Sequence, residues 1–281
     1  MEFISAIFDY TFLQRALLAG ILAGIACGVV GSFVVSKRIS YIGGGIAHSV
    51  LGGMGAAYFV RTVYGIEWIN PLIGAVIAAL LAAFMIGWVS MRYRQREDTM
   101  IGSIWAVGMA IGIIFISQTP GYYENLMSYL FGNILIISQS DLVLMALLDI
   151  IVIAITVVFY NQLTAVCFDE EFARVRGVNV ELFYLILMIL TALTVVLLVS
   201  VVGIIMVIAL LTLPPASAGL FTRSLKRTMF LSALFSIFFT VLGLGISYSP
   251  DFPPGAVIIL ISGVFYGLAN IYTRLSRNRR A

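Results

Sequence analysis

Charge is what this sequence has least of. Only 10% of its 281 residues are Asp, Glu, Lys or Arg, against 62% hydrophobic, and the mean hydropathy is +1.10. Soluble domains carry about a quarter charged residues, so a soluble globular fold is excluded. Histidine occurs once, at His48, and cysteine twice, at Cys27 and Cys167. Two cysteines so far apart give neither a metal-ligand cluster nor a disulfide framework. The chain also lacks a nucleophile elbow, a phosphate-binding Gly-x-x-x-x-Gly-Lys-Ser/Thr loop and any histidine–carboxylate motif. No catalytic constellation is present, and ATP, if it is used, must be bound by another chain. The net charge of +3 does not indicate nucleic acid, because the basic residues form short clusters between apolar runs.

What remains is an all-α polytopic membrane protein, a single transmembrane domain over 1–281. A span needs about 20 predominantly apolar residues. Such runs lie near 12–36, 42–64, 69–91, 99–117, 138–160, 181–200, 201–221, 229–246 and 255–273. No charge divides Leu182 from Phe221, so this run holds two spans, or one span and a re-entrant piece. The count is eight to nine. The first run lacks a basic n-region and is too long for a signal h-region, so it is expected to be a true span. With nine spans and the N-terminus outside, fourteen of the sixteen basic residues fall on the cytoplasmic side, leaving only Arg15 and Arg61 outside. The expected location is the cell membrane, with a cytoplasmic C-terminus.

Within this frame, Tyr41–Gly55 stands out. On a helix, Gly44, Gly45, His48, Leu51, Gly52 and Gly55 share one face. An ionisable group inside a span is a functional-site candidate, and a neutral imidazole suits zinc and its neighbours. The glycines around it leave room either for an ion or for another helix backbone. Asp149, mid-way along the fifth span, is a second candidate: a ligand, an ion-pair partner, or a residue facing a wet cavity. Asp251, in Ser249–Gly255, stands at the mouth of the last span, either attracting cations or capping the helix. Gly20, Gly24 and Gly28 form a small-residue stripe expected to be a helix-packing face.

Two further segments carry signals. Phe168–Val178 begins with Asp169, Glu170 and Glu171 and continues with Ala173, Arg174, Arg176 and Gly177. Acid first and base later suits the dipole of a short helix, with Gly177 as its C-cap. Such a helix on the cytoplasmic surface is what a soluble partner grips; a plain solvated loop is the alternative. Pro214 and Pro215 are expected to interrupt their helix, and breaks of this kind often line a transport path.

Taken together, four motifs resemble the integral membrane permease of metal-ion ABC transporters, closest in kind to zinc-uptake permeases. They are Arg38-Ile-Ser-Tyr-Ile-Gly-Gly-Gly-Ile-Ala-His48, Ser128-Tyr-Leu-Phe-Gly-Asn133, Leu213-Pro-Pro-Ala-Ser-Ala218 and Asp251-Phe-Pro-Pro-Gly-Ala256, in family order. Glu171-Phe-Ala-Arg-Val-Arg-Gly177 resembles the ATPase-coupling motif of such permeases, with Phe172 in place of its first alanine. The resemblance implies a homodimer, two cytoplasmic ABC ATPase subunits docked on 168–178, and an extracytoplasmic metal-binding protein. No cofactor is held permanently, and the cargo is a divalent metal ion passing His48. Where the family commonly has Asp four residues before this histidine, the chain has Gly44. Loss of that hard ligand tilts the expectation to Zn2+, with Mn2+ or Fe2+ next. A permease for an iron chelate or cobalamin, an ion-coupled secondary transporter and a membrane scaffold remain as rivals.

Overall fold

The computed structural model describes residues 2–93, 97–120, 137–250 and 252–278. Among them the chain forms twelve helices and no strand: α1 (Glu2–Asp9), α2 (Thr11–Ser36), α3 (Ser40–Tyr64), α4 (Pro71–Tyr93), α5 (Glu97–Ser117), α6 (Gln139–Val158), α7 (Tyr160–Phe168), α8 (Glu170–Val175), α9 (Val180–Val202), α10 (Ile204–Phe221), α11 (Leu225–Tyr248) and α12 (Pro254–Asn278). Eight of these, α2, α4, α5, α6 and α9 to α12, are long and apolar enough to cross a membrane. Lipid offers the backbone no hydrogen bonds, so each must satisfy its own as a helix.

Helix α3 is as long but falls short of them in apolar content. Its 25 residues reach about 37 Å, ample for a bilayer core. Glycine, serine and His48 lower its apolar content, and neighbouring helices bury most of its first two thirds. It runs parallel to α5, with Gly45 against Ile101, Gly52 against Gly108 and Gly55 against Gly112. It runs antiparallel to α4, where Gly53 crosses Gly74. It therefore traverses the same layer as α5.

The core is built around α2 and α9, the most deeply buried spans, while α12 is the least. The stripe on α2 packs on α11 as expected: a side chain begun at Gly28 would project to within 2.6 Å of the Ala233 backbone. Buried hydroxyls such as Ser32, Thr191 and Ser262 donate to the carbonyl one turn back in their own helix. Three helix starts carry side-chain caps: a capping box at Ser138 and Asp141, Asp169 on α8 and Asn179 on α9.

The long apolar run does hold two helices, but the proline pair does not divide them. Division occurs at Gly203, whose φ of 79° suits glycine, and α10 continues through Pro214 and Pro215. Proline at 215 leaves the Leu211 carbonyl without its usual donor. That carbonyl and the Pro215 ring lie where a side chain at Gly31 of α2 would project. Close approach of a glycine backbone thus lets the helix run on. The fifth span is also shorter than its apolar run, ending at Val158 before the separate α7.

One end of the bundle gathers the basic residues. Lys37 there contacts Glu170 and Tyr184, Lys226 lies over Tyr160, and Arg92 shares a pocket with Glu181.

Candidate functional site

His48 sits mid-way along α3 on the face turned to α5. Its ring stacks on Trp105 of α5, with centroids 4.0 Å apart and planes 13° from parallel. The imidazole is half-buried, and its Nδ1 is enclosed with no hydrogen-bond partner among the described residues. The surrounding glycines are filled by helix backbone and side chain: Gly45 meets Ile101, Gly52 meets the Gly108 carbonyl, and Gly44 faces Trp105 and Ile208. Of the two uses open to this glycine face, close packing is the one it serves. A groove of about 610 Å³ between α3, α4 and α5 begins beside it at Ser49 and Gly52, and its walls are almost wholly apolar.

Asp149 lies elsewhere. It is 3% exposed on α6, turned to α2 near the Cys27 thiol, with both carboxylate oxygens unpartnered among the described residues. The structure does not bring it to His48. Among the described residues no three His, Cys, Asp or Glu side chains converge. Asp251 and the Ser128–Asn133 motif lie outside the described residues. Pro214 and Pro215 are buried against α2, as packing residues inside a continuous helix.

The charged segment 168–178 forms the expected short helix, α8. Asp169 caps it by accepting from the Phe172 amide at 2.9 Å. Its end is a Schellman turn: Val178 N–H donates to the Ala173 carbonyl and Gly177 N–H to that of Arg174, with Gly177 at φ 77°. Ala173 is fully buried, seating the helix on the bundle. Glu170 is held by Lys37. Glu171 and Arg174 stay exposed, and so do three apolar residues, Phe168, Phe172 and Val175, the last 87% exposed. Ala173, expected at a partner contact, is turned into the bundle, and its neighbours Phe172, Arg174 and Val175 face outward. The exposure of Phe172 and Val175 and the Lys37–Glu170 contact were not read from the sequence; Phe172 could have been found as an aromatic residue in a charged, water-facing stretch.

A helical bundle in which eight helices are apolar enough to span a membrane, with a short, exposed helix beside Lys37, is the architecture of a polytopic membrane transport subunit. The chain belongs to the ABC 3 transport family, whose model matches residues 9–273. It is thus a permease and not an enzyme, ATP hydrolysis residing on a separate chain. The chain is 39% identical to a probable metal transport system membrane protein of Chlamydia pneumoniae, over 92% of this chain and 88% of that one. It is 34% identical to the manganese transport system membrane protein MntC of Halalkalibacterium halodurans, over 99% and 96%. Its fold matches a chain of PsaBC from Streptococcus pneumoniae, solved with a Fab, at TM-score 0.82 and 33% identity, over 95% and 94% of the two chains.

Proposed function

We propose that this chain is the permease subunit of an ATP-driven importer of divalent transition-metal ions, Zn2+ first and Mn2+ or Fe2+ next. The observation that carries the reading is His48, the chain's single imidazole, half-buried mid-way along a helix of membrane-crossing length. Family membership and the metal-transport names of relatives support it. In this reading His48 makes transient contact with the passing ion, since conduction needs a site weak enough to release its cargo. Asp251 attracts cations at the external mouth.

The working unit is a homodimer with the pathway near the subunit interface. The basic end is cytoplasmic, which places the N-terminus outside and the C-terminus inside. Two ATPase subunits grip α8 through Phe172, Val175, Glu171 and Arg174, and an extracytoplasmic metal-binding protein delivers the ion. Nucleotide binding and hydrolysis on the ATPases then bias two permease states through the 168–178 segment.

Manganese is the second reading, favoured by the name of MntC at 34% identity over nearly the whole chain. Cellular accumulation of zinc, manganese and iron at limiting metal, in cells carrying the complete transporter, tests both. Wild type is expected to accumulate one metal and His48→Ala to lose it at unchanged protein level. Undiminished uptake in the variant returns His48 to a packing role. Failure of the wild type to move any metal favours a chelate or ion-coupled transporter.

A further inference from the structure

We infer that Trp105 is the positioning residue of the transport site and that Gly44 exists to admit it, the pair setting selectivity for a borderline-soft cation such as Zn2+ over a hard one such as Mn2+. This rests on the reading of His48 as the pathway contact.

An imidazole that meets a metal is normally oriented through its other nitrogen, which donates to a carboxylate or carbonyl. His48 has no such acceptor: Nδ1 is enclosed and unpartnered among the described residues. What does hold the ring is the indole of Trp105, stacked at 4.0 Å and nearly parallel. Trp105 is itself held in register. Residues of α5 on either side of it lock to α3, Ile101 against Gly45 and Gly108 against Ser49 and Gly52. The Ile101 side chain against Gly45 and the backbone approach at Gly108 leave little room to slide, so the indole stays over the imidazole.

Position 44 is one helical turn before His48, on the same face. A carboxylate there would set an oxygen beside the imidazole nitrogen and make a harder, better-charged site. The chain instead has glycine, and the space is taken. A Cβ at Gly44 would lie 3.3 Å from the Trp105 ring and 3.3 Å from Ile208 Cδ1, tighter than ordinary contact. Trp105 thus orients the nitrogen ligand and occupies ground a hard oxygen ligand would need. With imidazole alone, Zn2+ binds better than Mn2+, following both ligand softness and the general affinity order.

The test is uptake of radioactive zinc and manganese by the complete transporter in cells, with KM and Vmax measured separately for each metal. Trp105→Phe keeps a ring and is expected to hold the zinc KM within about twofold. Trp105→Leu keeps apolar bulk without a ring and is expected to raise it roughly tenfold at little changed Vmax, the equivalent of about 1.4 kcal/mol. Gly44→Asp, which leaves Trp105 in the sequence but forces it aside, is expected to lower the zinc-to-manganese preference roughly tenfold. An unchanged zinc KM in Trp105→Leu overturns the inference, as does an unchanged metal preference in Gly44→Asp. Should Trp105→Leu fail to reach the membrane, Gly44→Asp decides alone. His48→Ala separates the two levels: loss of uptake there with normal Trp105→Leu kinetics sinks only the present inference, whereas normal uptake in His48→Ala removes the site itself.

Discussion

Lys37 closes the end of α2 onto the charged helix α8 through Glu170. Its ammonium sits 2.5 Å from the Glu170 carboxylate, donates to the Val166 carbonyl at 2.9 Å and lies 5.4 Å from the centre of the Tyr184 ring. Three elements, α7, α8 and α9, thereby meet on one side chain that is only 11% exposed. Glu170 remains half in water, so the ion pair itself contributes on the order of 1 kcal/mol or less. Its value is geometric.

Lys37→Met should therefore leave the bundle folded while loosening α8. Uptake is expected to fall several-fold with nucleotide turnover by the ATPase partners retained, and amide exchange over 166–175 should rise. A parallel loss of turnover and uptake, with exchange unchanged, would mean that Lys37 does not fasten this segment.

Gly177 is the second hold on the same helix. Its φ of 77° has no steric crowding around it, so the cost of Gly177→Ala is purely conformational, roughly 1–2 kcal/mol. Asn tolerates this region better. Co-purification of the ATPase should therefore weaken in the order glycine, asparagine, alanine; equal recovery with all three would dissociate the turn from docking.

Glycines on α2 test the packing of the bundle. At Gly28 a side chain meets the Ala233 backbone, which cannot swing away. Gly28→Val should cost about 1–3 kcal/mol and lower the melting temperature in detergent. Gly102→Ala and Gly219→Ala, where nothing lies within 4 Å, should be near neutral. Similar melting temperatures for all three would contradict the close α2–α11 crossing.

Both thiols should be silent. Cys27 is fully buried in α2, and Cys167, 8% exposed on α7, has its pKa pushed up to about 12, first by burial. The thiolate is the reactive form, so a charged maleimide at neutral pH should label neither in intact membranes. Rapid labelling of Cys167 would mean that α7 opens.

Much of this was legible because the signals are local. Spans follow from apolar length, α8 from its capping residues, and the α2 stripe from four-residue spacing. The proline pair misled because its effect depends on a distant partner: whether Pro215 breaks a helix turns on what faces the Leu211 carbonyl, here Gly31. His48 was conspicuous, but Trp105 was not, since an aromatic in an apolar span carries no mark of what it stacks on. The inward turn of Asp149 to Cys27 was equally invisible, because it depends on how α6 rotates against α2.

Finally, α3 owes its place to its neighbours, and this bears on how the protein is made. Of the nine long helices, α3 alone is not apolar enough to count as a span by composition, so it gains little from entering lipid alone. It hides its glycines and histidine against α4, α5 and α10, all synthesised after it. Membrane integration of this segment is thus tied to chain length: a nascent chain ending near Gly65 would hold α3 poorly, one extended through Ser117 would cover most of its glycine face, and one extended through Phe221 would complete the cover. The helix that bears His48 enters the membrane in company.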